Sequence, residues 1–244
     1  MKIAIIQTKP VTGDVESNIT DHKRWIGFAA ENMCDLIVFP ELSLTGYEPK
    51  IAQKIAINAK DKRLDIFKKL SDKHQITISA GIPTKTANRI HISQLLFQPD
   101  KKMKVYSKKY LHPDELSFFT PGENATNLSI HGIKIAFAIC YELSVEEHLE
   151  KTMAGNPDIY VASVAKFKND MRKAKERLSR IAKENKLTVF MSNSVGPADS
   201  GLCGGNSAIW DSDGILIKQL DNKNEGVLIF DTKNREAMSQ TSVI

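Results

Sequence analysis

Short apolar runs alternate with longer amphipathic stretches along most of the chain. Residues 3–6, 36–39 and 132–139 have the length and apolar content expected of strands that are buried on both faces. Between such runs, residues 15–32 and 170–185 place apolar side chains at helical spacing and polar side chains elsewhere. Because a sheet that is buried on both faces needs helices outside it, this alternation predicts a layered α/β fold.

The same patterns predict the remaining elements. Further helices are expected at 61–72 and 145–154. Further strands are expected at 76–81, 91–97, 159–164, 188–192, 207–210, 215–220 and 227–230. Asp213-Gly214 is a hairpin signal between two of these strands. Since no Pro/Gly/Ser-rich linker or low-complexity segment divides the sequence, we expect residues 1–244 to form one domain.

The charge balance and the cysteines exclude several classes of protein. There are 34 Lys and Arg against 29 Asp and Glu, and the net charge of +5 does not indicate a dedicated nucleic-acid binder. The basic residues of 170–185 fit the solvated face of an amphipathic helix. Three cysteines without a CxxC pair exclude a complete disulfide framework and a zinc ribbon. No apolar stretch approaches the ~20 residues that span a bilayer. We therefore expect a soluble, cytoplasmic protein with no metal, membrane or nucleic-acid partner.

Glu41 is the first candidate for chemistry. It comes just after the apolar run 36–39, so its carboxylate is expected at the rim of the sheet, where open α/β sheets bind ligands. Partial burial there would raise its pKa and suit it to proton transfer. The alternative from position alone is a glutamate that begins a helix or lies on the surface.

Cys140 directly follows the strand predicted at 132–139. A nucleophile at a strand-to-helix turn is exposed, and the next backbone N–H is free to bind an oxyanion. The alternative is a small core residue, which is the usual role of a free cysteine. Cys34 fits that structural role, and Cys203 lies in a Gly-rich loop without an evident activating neighbour.

Lys108 and Lys109 follow a short Val-Tyr-Ser segment. Adjacent lysines are usually solvated, so a functional lysine here has to turn inward. The loop that follows, which contains Glu115 and Phe-Phe-Thr-Pro-Gly at 118–122, has an unusually specific sequence. Loops of this kind often carry function.

Four motifs, in this order and spacing, resemble the nitrilase, or carbon–nitrogen hydrolase, superfamily over nearly the whole chain. They are Phe-Pro-Glu-Leu-Ser-Leu-Thr-Gly-Tyr at 39–47, Tyr-Ser-Lys-Lys-Tyr-Leu at 106–111, Glu115 ahead of 118–122, and Ile-Cys-Tyr-Glu at 139–142. Each motif is weak alone, but four in order are specific. The resemblance implies a four-layer αββα sandwich and a homodimer.

The resemblance also implies a role for each catalytic residue. Cys140 takes the role of the nucleophile, Glu41 that of the general base, and Lys108, rather than Lys109, that of the catalytic lysine. Glu115 matches the family's second glutamate, which holds the lysine or orients the substrate. A lysine beside a thiol lowers the thiol pKa and favours the attacking thiolate. No metal or organic cofactor is expected.

Four residues near the nucleophile are expected to contact the substrate. Tyr141 contributes its backbone N–H to the oxyanion site, and Tyr47 ends the glutamate motif. Lys166 and Phe167 follow a buried strand, in the segment that lines the pocket in the family. Lys166 pairs with a substrate carboxylate or is an exposed surface lysine, and the sequence leaves both readings open.

Some positions depart from the family pattern. Ser107 stands where the family usually has Arg, and Tyr110 stands where it often has His. The resemblance implies hydrolysis of a non-peptide C–N bond in a small linear amide or N-carbamoyl compound, which releases ammonia or an amine and a carboxylic acid. The alternatives are a nitrilase that acts on a nitrile and a catalytically idle interaction protein that keeps the fold.

Overall fold

Strands dominate the computed structural model, which describes residues 1–123, 128–199 and 201–241. In chain order the strands are β1 (Lys2–Gln7), β2 (Leu36–Val38), β3 (Thr77–Thr86), β4 (Arg89–Phe97), β5 (Lys104–Ser107), β6 (Leu128–Ile130), β7 (Ile133–Ile139), β8 (Ile159–Val164), β9 (Thr188–Asn193), β10 (Val195–Ala198), β11 (Gly201–Gly204), β12 (Ala208–Trp210), β13 (Leu216–Gln219), β14 (Gly226–Asp231) and β15 (Glu236–Thr241). The α-helices are α1 (Val15–Glu31), α2 (Ala52–Ile55), α3 (Asp65–His74), α4 (Glu146–Met153) and α5 (Met171–Asn185).

Two large sheets and one hairpin contain these strands. The first sheet has the order β15-β14-β1-β2-β3-β4-β5, and the second has the order β13-β12-β9-β8-β7-β6. The central strands β1, β2 and β3 run parallel, as do β7, β8 and β9. The hairpin of β10 and β11 stands apart from both sheets.

Side chains of the central strands alternate between two buried environments. Ile3 and Ile5 of β1 belong to the same apolar cluster as Phe137 and Val161 of the second sheet, so the two sheets face each other. Alternation is the natural result of the two-residue repeat of a strand. This inter-sheet cluster is the centre of the core.

Helices cover the outer faces of both sheets. The intervening residue Ala4 packs in a second cluster with Trp25 of α1 and Phe67 of α3. On the opposite side, Ala138 packs in a third cluster with Leu178 of α5. The layers are therefore helix, sheet, sheet and helix, which confirms the αββα sandwich expected from the sequence.

The sequence patterns missed the peripheral strands. β15 contains no apolar run, and most of its residues are exposed because it lies at the edge of the first sheet. Its strand conformation depends on antiparallel pairing with β14. β10 and β11 are short and rich in Gly, so their pairing is also a tertiary feature. Within the described ranges, no helix is both long and apolar enough to cross a membrane.

Gly81 of β3 lies against the turn that carries Glu41, and we expect it to tolerate no side chain. A Cβ atom there would lie 2.4 Å from both the Leu42 nitrogen and the Pro40 oxygen. We expect Gly81→Ala to lower the free energy of unfolding by about 2 kcal/mol, measured by urea denaturation. The control is Gly27→Ala in α1, where a Cβ meets nothing within 4 Å. We expect Gly27→Ala to raise the free energy of unfolding by about 0.5 kcal/mol. Equal effects of the two variants would contradict the prediction.

Candidate active site

The candidate residues follow strands that end at the same side of the molecule. β2 and β5 run in the same direction in the first sheet, since two antiparallel pairings separate β3 from β5. Glu41 lies just beyond β2, and Lys108 directly follows β5. In the second sheet, Cys140 directly follows β7, and Ala165 directly follows the parallel neighbour β8. Carboxyl ends of parallel strands are the usual place for ligands in α/β proteins.

Glu41 is held in a tight turn that is anchored to β3. The Gly46 N–H donates to the Leu42 carbonyl at 2.8 Å, and the Leu44 N–H donates to the Gly81 carbonyl at 2.9 Å. Leu42 adopts a positive φ of 51°, which the close packing of the turn enforces. The Glu41 side chain is buried, with 1% exposure.

The ammonium group of Lys108 lies between two carboxylates. Its Nζ donates to Glu41 Oε1 at 2.8 Å and to Glu115 Oε1 at 2.8 Å, and the lysine is fully buried. The backbone N–H of Lys108 donates to the Ile92 carbonyl at 2.8 Å, which keeps the residue aligned with β4. The side chain of the neighbouring Lys109 is exposed. Lys108 is therefore the inward-turning member of the pair.

Glu115 is fixed by three hydrogen bonds. Its Oε1 accepts from Lys108 and from the Tyr47 hydroxyl at 2.9 Å, and its Oε2 accepts from the His112 N–H at 2.8 Å. Burial and the nearby carboxylates raise the pKa of Tyr47, so this phenol stays protonated as a donor. The sequence placed Tyr47 against substrate. In the structure its hydroxyl holds Glu115, while the residue also lines the pocket.

Cys140 begins the turn after β7 with a positive φ of 46°. A positive φ is uncommon in a residue with a side chain and is a form of strain often found at functional sites. The residue is partly exposed and lines the neighbouring pocket. The charge of Glu41 acts on the Cys140 thiol, so the carboxylate and the candidate nucleophile belong to one cluster.

Burial raises the pKa of the Cys140 thiol to about 11, and the negative charge of Glu41 adds to the increase. Lys166 and Lys108 act in the opposite direction but do not outweigh these effects. The sequence led us to expect a thiolate stabilised by Lys108. Lys108 does lower the thiol pKa, but burial and Glu41 raise it by more, so we expect the proton to pass to a base as the sulfur attacks.

Burial and neighbouring charges have opposite effects on the pKa values of Glu41 and Lys108. Burial raises the pKa of Glu41, and Lys108 opposes the increase. Burial alone would lower the pKa of Lys108, but the attraction of Glu41 and then of Glu115 raises it instead. Lys108 is therefore a cation, and Glu41 is a carboxylate with an increased affinity for a proton.

Glu41 also connects the two sheets. While its Oε1 accepts from Lys108 in the first sheet, its Oε2 accepts from the Ala165 N–H of the second sheet at 3.2 Å. Both oxygens of the Glu41 carboxylate thus accept a hydrogen bond, which restricts the orientation of the carboxylate beside the thiol.

A cavity of about 560 Å³ opens onto Cys140. Its lining includes all four residues that the sequence assigned to substrate contact, namely Tyr47, Tyr141, Lys166 and Phe167. The rings of Tyr47 and Phe167 meet edge to face with centroids 6.2 Å apart. The volume is in the range of small-molecule sites.

Lys166 is half-buried and lines this cavity. Its charge acts on the Cys140 thiol, and within the described residues its ammonium group forms no ion pair with a carboxylate. The backbone of Lys166 is held by Asn193, whose Oδ1 accepts the Lys166 N–H at 2.9 Å and whose Nδ2 donates to its carbonyl at 3.2 Å. Sequence reasoning missed Asn193, although its position at the end of β9 was an available signal.

The other two cysteines are buried away from solvent. Cys34 is 5% exposed in the cluster under α1, and Cys203 is 1% exposed beside Ala165 and Phe167. Burial raises the pKa of each to about 12. Over the described part of the chain, no group of three or more His, Cys, Asp or Glu side chains is arranged to hold a metal ion.

Protein-family models and related protein sequences match this chain over most of its length. The family model described as carbon-nitrogen hydrolase matches residues 2–238. The chain is 26% identical to an (R)-stereoselective amidase from a Pseudomonas species, over 86% of this chain and 77% of the amidase. It is 27% identical to the hydrolase in agr operon of Staphylococcus aureus, over 98% of this chain and 94% of that protein.

Solved structures show a similar fold. An amidase from Nesterenkonia sp. AN1 superposes with a TM-score of 0.87 at 22% identity, over 96% of this chain and 94% of the amidase. In that amidase, acrylamide is attached by Michael addition to the active-site cysteine. The likeness covers the two sheets and their helices, and at this identity it is evidence of fold.

Proposed function

The chain belongs to the carbon–nitrogen hydrolase family, and from this premise we propose that it hydrolyses a small linear amide or N-carbamoyl compound through a Cys140 thioester. The observation that carries the proposal is the Lys108 ammonium, buried 2.8 Å from both Glu41 and Glu115 beside a cysteine that faces a cavity. Such a group can remove a proton, supply a nucleophile and stabilise an oxyanion within one site.

The first step is attack by the thiol. Glu41 accepts the Cys140 proton while the sulfur forms a bond to the carbonyl carbon, so no free thiolate is required. The oxyanion that develops is placed near Lys108 and the Tyr141 backbone N–H. One donor of this kind stabilises a transition state by about 3 kcal/mol.

The second half of the cycle uses the same carboxyl group. Glu41 returns the proton to the leaving nitrogen, the C–N bond breaks, and ammonia or an amine departs. Water then attacks the thioester carbon while Glu41 takes a proton from it. Collapse of the intermediate releases the carboxylic acid, and the proton returns to the Cys140 sulfur.

Glu115 acts in this scheme through Lys108. It bonds to the ammonium with one oxygen and is itself held by Tyr47 and His112. A second carboxylate also keeps Lys108 charged in a site where desolvation favours the neutral amine. Glu115 is therefore proposed as the residue that holds the lysine in position.

We also propose that Lys166 recognises a carboxylate on the substrate. A half-buried cation beside the nucleophile, without a carboxylate partner in the described structure, is the complement expected for an anionic group. Substrates of this class are ω-amides of dicarboxylic acids and N-carbamoyl amino acids. Phe167 and Tyr47 then enclose the apolar part of such a molecule.

The oligomer implied by the family resemblance is a homodimer that pairs through helices near the nucleophile. α4 follows the Cys140 turn on the outer face of the second sheet, where a partner could extend the sandwich. Sedimentation equilibrium should give twice the mass of one chain. A monomer across the micromolar range would contradict this proposal.

Loss of the nucleophile or of the base should abolish turnover. We expect Cys140→Ser and Glu41→Gln each to reduce kcat by about a thousandfold, measured as ammonia release from a panel of amides, carbamoyl compounds and nitriles. Glu31→Gln is the control, because its side chain is exposed at the end of α1 and does not line the cavity. Wild-type cleavage of nitriles alone would favour a nitrilase. No cleavage of any compound would favour an idle interaction protein.

Removal of the Lys166 charge should separate two kinds of substrate. We expect Lys166→Met to raise KM for carboxylated amides by about tenfold or more, because the substrate carboxylate loses its charged partner. KM for neutral amides of the same length should not change. Lys168→Met is the matched control, since Lys168 is exposed and does not line the cavity. Equal effects of Lys166→Met on both substrate classes would exclude the carboxylate role.

A further inference from the structure

A third buried carboxylate, that of Glu142, lies in the turn that Cys140 begins. It comes two residues after Cys140, is fully buried, and is absent from the lining of the cavity that opens onto the thiol. It therefore has no access to a substrate in that cavity. The proposed reaction does not use the Glu142 carboxylate.

Both oxygens of Glu142 bind backbone near catalytic residues. Its Oε2 accepts the N–H of Ile139 at 2.8 Å, and Ile139 immediately precedes Cys140. Its Oε1 accepts the N–H of Lys109 at 2.6 Å, and Lys109 immediately follows Lys108. One carboxylate thus connects the end of β7 with the end of β5, which belong to different sheets.

Tyr106 fixes the orientation of that carboxylate. Its hydroxyl donates to Glu142 Oε2 at 2.6 Å, and its side chain is buried, with 4% exposure. His148 Nε2 lies 3.0 Å from the same hydroxyl oxygen. Since the phenol has one proton and gives it to Glu142, the network assigns the Nε2–H to His148 as donor to Tyr106. Burial lowers the pKa of His148, in keeping with a neutral ring.

This arrangement satisfies a charge that would otherwise be costly to bury. A carboxylate inside a protein is retained when several donors bind its oxygens. Here the donors are backbone groups next to Lys108 and Cys140 together with one phenol, so the bonds that solvate Glu142 also fix the two reactive residues relative to each other. A displacement of about 1 Å between reacting groups can reduce a rate by about a hundredfold.

We propose that Glu142, oriented by Tyr106, is a positioning residue that sets the separation of the Lys108 ammonium and the Cys140 thiol. The role rests on the proposed function, because it is a role in that reaction. Glu142 acts through the backbone of the two strand ends and does not contact the substrate.

The first test compares two variants, each of which loses one tyrosine hydroxyl group. Tyr106→Phe removes the donor to Glu142 and keeps the ring, while Tyr160→Phe is the matched control, because the buried Tyr160 hydroxyl has no hydrogen-bond partner among the described residues. We expect Tyr106→Phe to lower kcat per titrated active site by about tenfold with KM unchanged, and Glu142→Gln to lower it by about a hundredfold. Tyr160→Phe should retain the wild-type kcat. A Tyr106→Phe enzyme with wild-type kcat per titrated site would overturn the proposal.

The second test requires no turnover. Because Lys108 lowers the pKa of the Cys140 thiol, its displacement should raise that pKa further and slow the alkylation of Cys140 by iodoacetamide at fixed pH. We expect Tyr106→Phe to be alkylated several-fold more slowly than Tyr160→Phe. A general loosening of the structure would expose the thiol and accelerate alkylation, so a faster rate would overturn the positioning role.

The two proposals fail in different ways. A wild-type protein that cleaves no amide, carbamoyl compound or nitrile would refute the proposed function, whereas the alkylation comparison would still measure the coupling of Tyr106 and Glu142 to Cys140. If Glu142→Gln does not fold, Tyr106→Phe decides the outcome alone.

Discussion

The site depends on one buried ammonium group, that of Lys108, which lies between two carboxylates. Desolvation alone would favour the neutral amine, and the contacts with Glu41 and Glu115, each 2.8 Å, help to keep the lysine charged. The dependence is mutual, since either carboxylate would be costly to bury without the cation. Tyr47 and His112 then bind Glu115 and complete its hydrogen bonding. Removal of one member would leave uncompensated charge in the core, so chemistry and local stability are coupled here.

The two-sheet architecture makes this cluster possible. Each sheet brings two strand ends to the same side, and the apolar layer between the sheets keeps them in contact. Glu41 bonds to Lys108 of the first sheet and to the Ala165 N–H of the second, so one side chain depends on both. Close packing, such as that around Gly81, gives the turn that carries Glu41 little conformational freedom.

Burial and charge together set the pKa of the nucleophile. Burial contributes most to raising the pKa of the Cys140 thiol to about 11, the carboxylates of Glu41 and Glu115 add to the increase, and the ammonium groups of Lys166 and Lys108 oppose it. Burial also increases the proton affinity of Glu41, which suits this carboxylate to the proposed transfer, in which the thiol proton moves as the new bond forms. In the proposed reaction, the cationic neighbour Lys108 stabilises the developing oxyanion and Lys166 binds the substrate carboxylate.

The sequence by itself determined the α/β alternation and the strand-end positions of Glu41, Lys108 and Cys140, because apolar periodicity and motif order are local properties. It did not determine the edge strand β15, the hydrogen bond from Tyr47 to Glu115, or the network of Tyr106 and Glu142. These depend on contacts between residues far apart in the chain, such as the bond from the Ala165 N–H to Glu41, which spans 124 positions. Which donor meets which acceptor, and so which charge is stabilised, is decided when the two sheets pack and exclude water. Only the tertiary structure records that outcome.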